Sequence, residues 1–286
     1  MEFVTLGVVS NVWGALFAES SLEAECERAV RAGYGYVELR QRAVPGGEET
    51  VPGDDRPWPL PDRLQALAAR FPQLGFNLAV EAPFLTTPLD PNDPYLQRCV
   101  EAAVALGGNP PVLRLVDVSP ASSLLSDPGE IRTLAEAVAA VARSLSHHGV
   151  ALALENSRQP VAPLLQMLRL AGDSLSGGIP SPRLCWDPMN QAAQTLAPED
   201  PLTTARDLSG PELFEFHFKQ ARNGELLPDV QDGDLPWSSL LLALRDGGFR
   251  GPALFEIAPG PDIWPRLDRS TAYIRSLLEA VDPSRG

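Results

Sequence analysis

Residues 112–155 hold one complete structural repeat: VLRLVDV at 112–118, PGEIRTLAEAVAAVARSLSHHG at 128–149 and VALALE at 150–155. The outer runs are short, apolar and rich in β-branched residues, which predicts strands, and the middle run places its apolar residues at helical period. Gly149 ends that helix just before the second strand, where a left-handed C-cap is expected. The same pattern continues in both directions. Strand-like runs precede the unit at FVTLGVV (3–9), YVEL (36–39) and FNLAVE (76–81), and follow it at RLCWD (183–187), LFEFHFK (213–219) and ALFEI (253–257). Their starts lie about 30 to 41 residues apart, the length of one strand, one helix and two loops. Helical periodicity fills the gaps, as in SLEAECERAVRAG and IWPRLDRSTAYIRSLLEAV, and Gly33, Gly107 and Gly248 close helices as Gly149 does. Eight βα units with no break in composition predict an α/β fold, a single (β/α)8 TIM barrel domain over 1–286. A doubly wound sheet is the alternative, but neither GxGxxG nor GxxxxGKS follows any strand.

The composition narrows the partners. Of 286 residues, 37 are Asp or Glu against 23 Lys or Arg, a formal net charge of −14. That field repels a phosphate backbone and no basic run offsets it, so no nucleic acid partner is expected. Cys26, Cys99 and Cys185 lie in separate segments with no CxxC, which argues against a disulfide framework or a structural zinc site. The start, MEFVTLGVVSNVWG, lacks a basic region, and no run of about eighteen apolar residues occurs, so no membrane association and a cytoplasmic location are expected. Exposed apolar loops would support a homodimer. The long segment 41–60, rich in Pro, Gly and acids, falls on the barrel face where sites are built. It reads either as a lid with Trp58 as an apolar plug or as a plain surface insertion.

Polar residues at the C-terminal ends of barrel strands read as functional. Four consecutive strands finish this way: Glu155 on the fifth, Asp187 on the sixth, His217 on the seventh and Glu256 on the eighth. Any one of these acids alone reads as salt-bridged or solvated. Three carboxylates and an imidazole in successive register would repel one another without a cation and suit a hard divalent ion. Mn²⁺, Mg²⁺ or Co²⁺ fits better than Zn²⁺. Lys219, the one lysine of the chain, lies two residues after His217 and shares its face, beside the site. Arg114 points inward and must find either an anionic ligand or a buried partner such as Glu81 or Glu38. Glu38 and Arg40 share a face of the second strand and Glu81 ends the third; each lines the pocket or forms ion pairs at its rim. Asn190 and Arg222 are further substrate-contact candidates. His147 and His148 sit at a helix C-terminus, where a cation is favoured, and read as structural.

With these residues assembled, the sequence resembles the xylose isomerase-like barrel superfamily, and within it the sugar phosphate isomerase/epimerase members. GYGYVELR (33–40), GVALALEN (149–156), WDPMN (186–190), HFK (217–219) and GDLPW…LRDGGFRGPALFEI (233–257) carry the likeness over nearly the whole chain. The resemblance implies one divalent metal held by Glu155, Asp187, His217 and Glu256. It departs at Asn190, where relatives often carry a second histidine, at Gln220, where they often carry an acid, and on the third strand, which lacks a histidine. Endonuclease IV shares the fold but needs many histidines for three zinc ions, and xylose isomerase proper uses histidines and lysines absent here. The implied activity is isomerisation or epimerisation of a small, polyhydroxylated, anionic or neutral hydroxy-carbonyl substrate through a metal-stabilised enediolate. By likeness to ketose 3-epimerases, Glu155 and Glu256 would act as base and acid, with Lys219 and Arg114 orienting the substrate. A dehydratase of the dehydroshikimate or inosose type is the alternative. A non-catalytic small-molecule-binding barrel is the third reading.

Overall fold

The apolar runs become eight parallel strands, and the helical-period segments pack outside them. The computed structural model describes residues 3–85, 89–119, 127–193 and 199–281. In chain order these form β1 (Val4–Val9), α1 (Leu22–Arg31), β2 (Tyr36–Arg40), β3 (Glu48–Thr50), β4 (Pro57–Pro59), α2 (Pro61–Arg70), β5 (Gly75–Glu81) and α3 (Pro94–Leu106). There follow β6 (Val112–Val116), α4 (Pro128–Ser146), β7 (Ala151–Glu155), α5 (Val161–Asp173), β8 (Arg183–Trp186), α6 (Pro188–Ala192) and α7 (Pro201–Asp207). The chain continues through β9 (Leu213–Phe218), β10 (Ala221–Arg222), β11 (Glu225–Leu226), α8 (Trp237–Asp246), β12 (Gly251–Phe255) and α9 (Ile263–Val281). Among the described residues no helix is long and apolar enough to cross a membrane.

Strands β1, β12, β9, β8, β7, β6, β5 and β2 close in that order into a parallel barrel, the (β/α)8 architecture predicted from the repeat. Helix boundaries follow local chemistry. Asp127 caps α4 by accepting from the N–H groups of Gly129 and Glu130, Ser21 caps α1 through Ala24, and Gly33, Gly149 and Gly248 leave their helices at positive φ. His147 and His148 are exposed after α4, as their placement at a helix end implied.

The barrel interior is layered by strand position. At the strand starts, Val112, Ala151, Ala153 and Phe214 cluster with Tyr36 into an apolar plug. Gly75 makes room for it, since a Cβ there would stand 2.5 Å from the Tyr36 ring. The middle layer is polar: Glu38, Asn77, Arg114 and Glu215 are all buried. At the strand ends, on the face where barrel sites lie, stand Glu155, Asp187, His217 and Glu256.

Residues 41–60 are not an irregular loop. β3 and β4 pair antiparallel as a hairpin, and Trp58 packs edge-on against Tyr95 of α3 with centroids 5.8 Å apart. The indole N–H of Trp58 donates to Asp54, and Arg56 stacks 4.1 Å from the Tyr95 ring centroid, so the hairpin is anchored to α3. The segments after β5 and β8, 82–93 and 188–200, lie partly outside the described residues, at 86–88 and 194–198.

Candidate metal centre

The sequence places Glu155, Asp187, His217 and Glu256 at or just past four successive strand ends, and the barrel brings them together. One ligand atom from each lies within 4.8 Å of those of the other three. His217 Nδ1 faces all three carboxylates, at 3.0 Å from Glu256 Oε2, 3.9 Å from Asp187 Oδ2 and 4.0 Å from Glu155 Oε1. An ion with ligand distances of about 2.1 Å sets its donors roughly 3 to 4.2 Å apart, so the cluster has the size such an ion needs.

The donor set passes a second test. Asp187 Oδ2, His217 Nδ1 and Glu256 Oε2 are buried and make no directed hydrogen bond. Three buried ligand-type atoms that converge on one point without a well-directed hydrogen bond favour positive charge there. Lys219 Nζ lies 2.7 Å from both Asp187 Oδ2 and Glu256 Oε2. The ammonium ion-pairs with both oxygens and supplies part of the positive charge that the cluster needs. With His217 neutral, as a metal ligand must be, one ammonium against three carboxylates leaves two negative charges for a divalent ion to balance.

The protonation preferences follow from this crowding. Burial would raise the Glu256 carboxyl, but Lys219 and His217 outweigh it and hold it well below the usual carboxylate range. Burial would discharge His217, yet Glu256, Glu155 and Glu38 raise its pKa above the ordinary imidazole value. For Lys219, burial is overcome by Asp187, Glu256 and Glu155, which push its pKa up.

Each ligand is positioned locally. Asp187 is the N-cap of α6, its Oδ1 accepting from the N–H groups of Met189 and Asn190, which leaves Oδ2 inward. Asn156, next to Glu155, holds the Asp187 peptide from both sides: its Oδ1 accepts from Asp187 N at 2.7 Å and its Nδ2 donates to Asp187 O at 2.9 Å. Asn11, just past β1, donates from Nδ2 to Glu256 Oε1 at 2.8 Å. Neither Asn11 nor Asn156 stood out in the sequence.

Of the two readings of Arg114, the structure shows the buried pair with Glu38, and this replaces the assignment of either residue as a substrate contact. Both are fully buried beneath the cluster, where the Arg114 guanidinium grips both oxygens of Glu38 and reaches Glu155 Oε2. A buried Arg satisfied by two carboxylates has no donor surface left for a ligand, and removing one partner of such a set costs on the order of 3–5 kcal/mol. Burial pushes Glu38 up, but Arg114 overrides it and brings it to about 2. Glu215, buried and facing the Glu38 charge, is pushed well above the carboxylate range. Cys185, Glu215 and His217 form a second group of ligand type. The Arg114 guanidinium already stands 3.9 Å from Glu215, and burial drives the Cys185 thiol pKa well up, so this group fits a cation poorly.

Arg40 and Glu81 pair with each other at 3.2 Å, the rim ion pair that was one of their two readings. Arg222 is exposed and donates to the Asp232 carbonyl, so it is held along its own loop rather than over the cluster. Gln220 braces the same region, donating to the carbonyls of Gln231 and Leu235 and accepting from the N–H groups of Ala221 and Leu235. Asn190 approaches Glu155 Oε1 at 3.5 Å. Beside the cluster opens a cavity of about 470 Å³ lined by the polar Asn11, Asn190, Lys219 and Glu256 and the apolar Met189, Leu226, Leu227 and Ile257.

A family model, the xylose isomerase-like TIM barrel, matches residues 26–277. The chain belongs to that family. No curated protein matches the sequence. Solved structures of xylose isomerase-like barrels and related proteins superpose over nearly the whole chain. A fusion of such a barrel with 4-hydroxyphenylpyruvate dioxygenase is 13% identical at a TM-score of 0.68, over 97% of this chain, which spans 43% of the fusion's length. An L-ribulose 3-epimerase is 18% identical at a TM-score of 0.66, over 97% of this chain and 95% of its own. The IolI protein, whose structure carries a bound zinc atom, is 15% identical at 0.65, over 100% and 99%. At these identities the likeness is one of fold, and the activity of this xylose isomerase-like barrel is argued from its own site.

Proposed function

We propose that the chain is a divalent-metal-dependent isomerase or epimerase acting on a small hydroxy-carbonyl compound, sugar or sugar-derived. The observation that carries this is the convergence of three carboxylates and an imidazole, with ligand atoms within 4.8 Å of one another, beside a cavity that also exposes an ammonium. Glu155, Asp187, His217 and Glu256 would hold the ion, with Mn²⁺, Mg²⁺ or Co²⁺ suiting the oxygen-rich set and the zinc in the IolI structure keeping Zn²⁺ as an alternative. When bound, it supplies Lewis acidity to a carbonyl and lowers the cost of removing the neighbouring proton.

The chain's own groups divide the remaining work. Glu256 lines the cavity and takes or returns the substrate proton. By the likeness to ketose 3-epimerases, Glu155 in the cluster would serve the opposite face. Lys219 Nζ, also lining the cavity, meets the substrate oxygen on which negative charge develops. The apolar wall of Met189, Leu227 and Ile257 packs the carbon skeleton and restricts water at the reacting carbon.

Elemental analysis after reconstitution with Mn²⁺ tests the metal. About one equivalent per chain is expected, and loss of it in a Glu155→Ala/His217→Ala double variant. Solvent deuterium exchange into hydroxy-ketones, followed by NMR, tests the chemistry; Glu256→Gln should abolish exchange and keep the fold. Substantial exchange in that variant would overturn the role given to Glu256. An inward Arg114 together with Lys219 would favour the carboxylate substrate of the dehydratase reading, but the Arg114 guanidinium is engaged by Glu38 and Glu155, which leaves Lys219 alone on the cavity. Appearance of an ultraviolet chromophore in the same incubations would reinstate it. Absence of bound metal would favour the non-catalytic binding barrel.

A further inference from the structure

All three carboxylates of the cluster have one oxygen held from outside it. The amide of Asn11 donates to Glu256 Oε1, the guanidinium of Arg114 to Glu155 Oε2, and the first turn of α6 to Asp187 Oδ1. In each case the other oxygen is the one that faces His217 Nδ1. The tethers differ in chemistry and come from three separate parts of the chain, yet they produce the same result. The Asn11 orientation is fixed by its neighbour, because the flipped amide would set a carbonyl oxygen against a carboxylate. Its own Oδ1 is left buried without a partner, so the residue is placed for the Nδ2 contact.

We propose that Asn11 and Arg114 are positioning residues that restrict Glu256 and Glu155 to one coordinating oxygen each, keeping roughly two of the six positions of an octahedral ion open for exchangeable ligands. This rests on the metal-centre reading. A carboxylate can bind a hard ion through one oxygen or through both, and chelation closes one position. A hydrogen bond to the outer oxygen opposes that swing, and bonds to charged groups are among the stronger ones. The constraint matters most at Glu256, which borders the cavity through which exchangeable ligands arrive. Asp187 is already restricted by its capping role. Among the described residues the bonds to the outer oxygens of the two glutamates come from side chains, of β6 and of the turn after β1, which do for them what α6 does for Asp187.

The probe is Mn²⁺ alone, with no substrate. Its affinity is titrated by electron paramagnetic resonance and its inner-sphere water counted by water-proton relaxation, in the wild type, Asn11→Ala and Arg114→Lys. Asn11→Ala should still bind one ion with undiminished affinity, while the inner-sphere relaxivity per bound ion falls about twofold as Glu256 takes a second position. Arg114→Lys keeps the charge but offers a single donor head to Glu38 and Glu155, and should lower relaxivity likewise. A merely structural role predicts weaker binding with unchanged relaxivity per ion, and that result in folded Asn11→Ala overturns the proposal whether or not Arg114→Lys folds. If the wild type binds no Mn²⁺, the metal-centre reading itself fails and the proposal falls with it.

Discussion

Asn156 shows how much one buried side chain can decide. Its amide pairs with both the N–H and the carbonyl of Asp187, thereby setting the point where β8 hands over to α6 and where the Asp187 carboxylate aims. Asn156→Ala removes both bonds without touching a ligand atom. The expected outcome is a folded protein whose Mn²⁺ affinity drops about 10- to 100-fold, the usual effect of losing an outer partner of a metal ligand, measured by titration against the wild type. The contrast with the ligands explains what could be read in advance. Glu155, Asp187, His217 and Glu256 were legible because each ends a run of strand period, so position alone gave them a common face. Asn156 reads as part of the same ALEN stretch, but its partner lies 31 residues away, and Asn11 meets a partner 245 residues away. Such pairings are set by barrel closure and leave no local trace. Arg114 was legible as an inward charge, though its choice of Glu38 and Glu155 over a ligand depends on cross-barrel distances.

At the scale of elements, the eight barrel strands followed from apolar runs bounded by helix caps. The β3–β4 hairpin did not, because its strands are three residues long and one of them is Pro57-Trp58-Pro59. Proline disfavours strand interiors but is tolerated where each strand is an edge, as in a two-stranded ribbon. The hairpin carries a titratable feature. Burial raises the Glu48 carboxyl from 4.5 to about 7, against the weaker pull of the Arg42 amide and guanidinium. A carboxyl with a raised folded-state pKa holds its proton more tightly when folded, so its contribution to stability is complete below about pH 4.5 and is lost as pH climbs through 7. Glu48→Gln keeps an acceptor for the Arg42 N–H and cannot ionise. Urea denaturation should show the variant matching the wild type near pH 4.5 and exceeding it by about 1–2 kcal/mol at pH 8, allowing for the solvent exposure of a half-buried group. Equal pH profiles for the two proteins would place the Glu48 carboxylate in a better-solvated environment than its burial indicates.

For the molecule as a whole, the acidic excess and the site point the same way. A net charge of −14 concentrates cations around the protein, and at the barrel mouth three carboxylates face one ammonium. Bringing those carboxylates together works against folding, and only the native barrel assembles them, so an ion that binds there binds the folded state and not the unfolded chain. Linkage then sets the size of the effect. At a free concentration about a hundred times its dissociation constant, an ion held only by the native state adds about 2.7 kcal/mol. For a chain of this length that corresponds to a rise in melting temperature of roughly 4–5 °C. Thermal unfolding with Mn²⁺ should show this rise, EDTA should reverse it, and Glu155→Ala/His217→Ala should show neither. The same double variant also takes a carboxylate partner from the buried Arg114, so its metal-free melting temperature should lie below that of the metal-free wild type. The comparison is of each protein's own shift on adding Mn²⁺. A shift of equal size in both proteins would assign the stabilisation to ions gathered over the acidic surface. A shift confined to the wild type locates it at the strand ends of β7, β8, β9 and β12, where the barrel collects from four strands what none could hold alone.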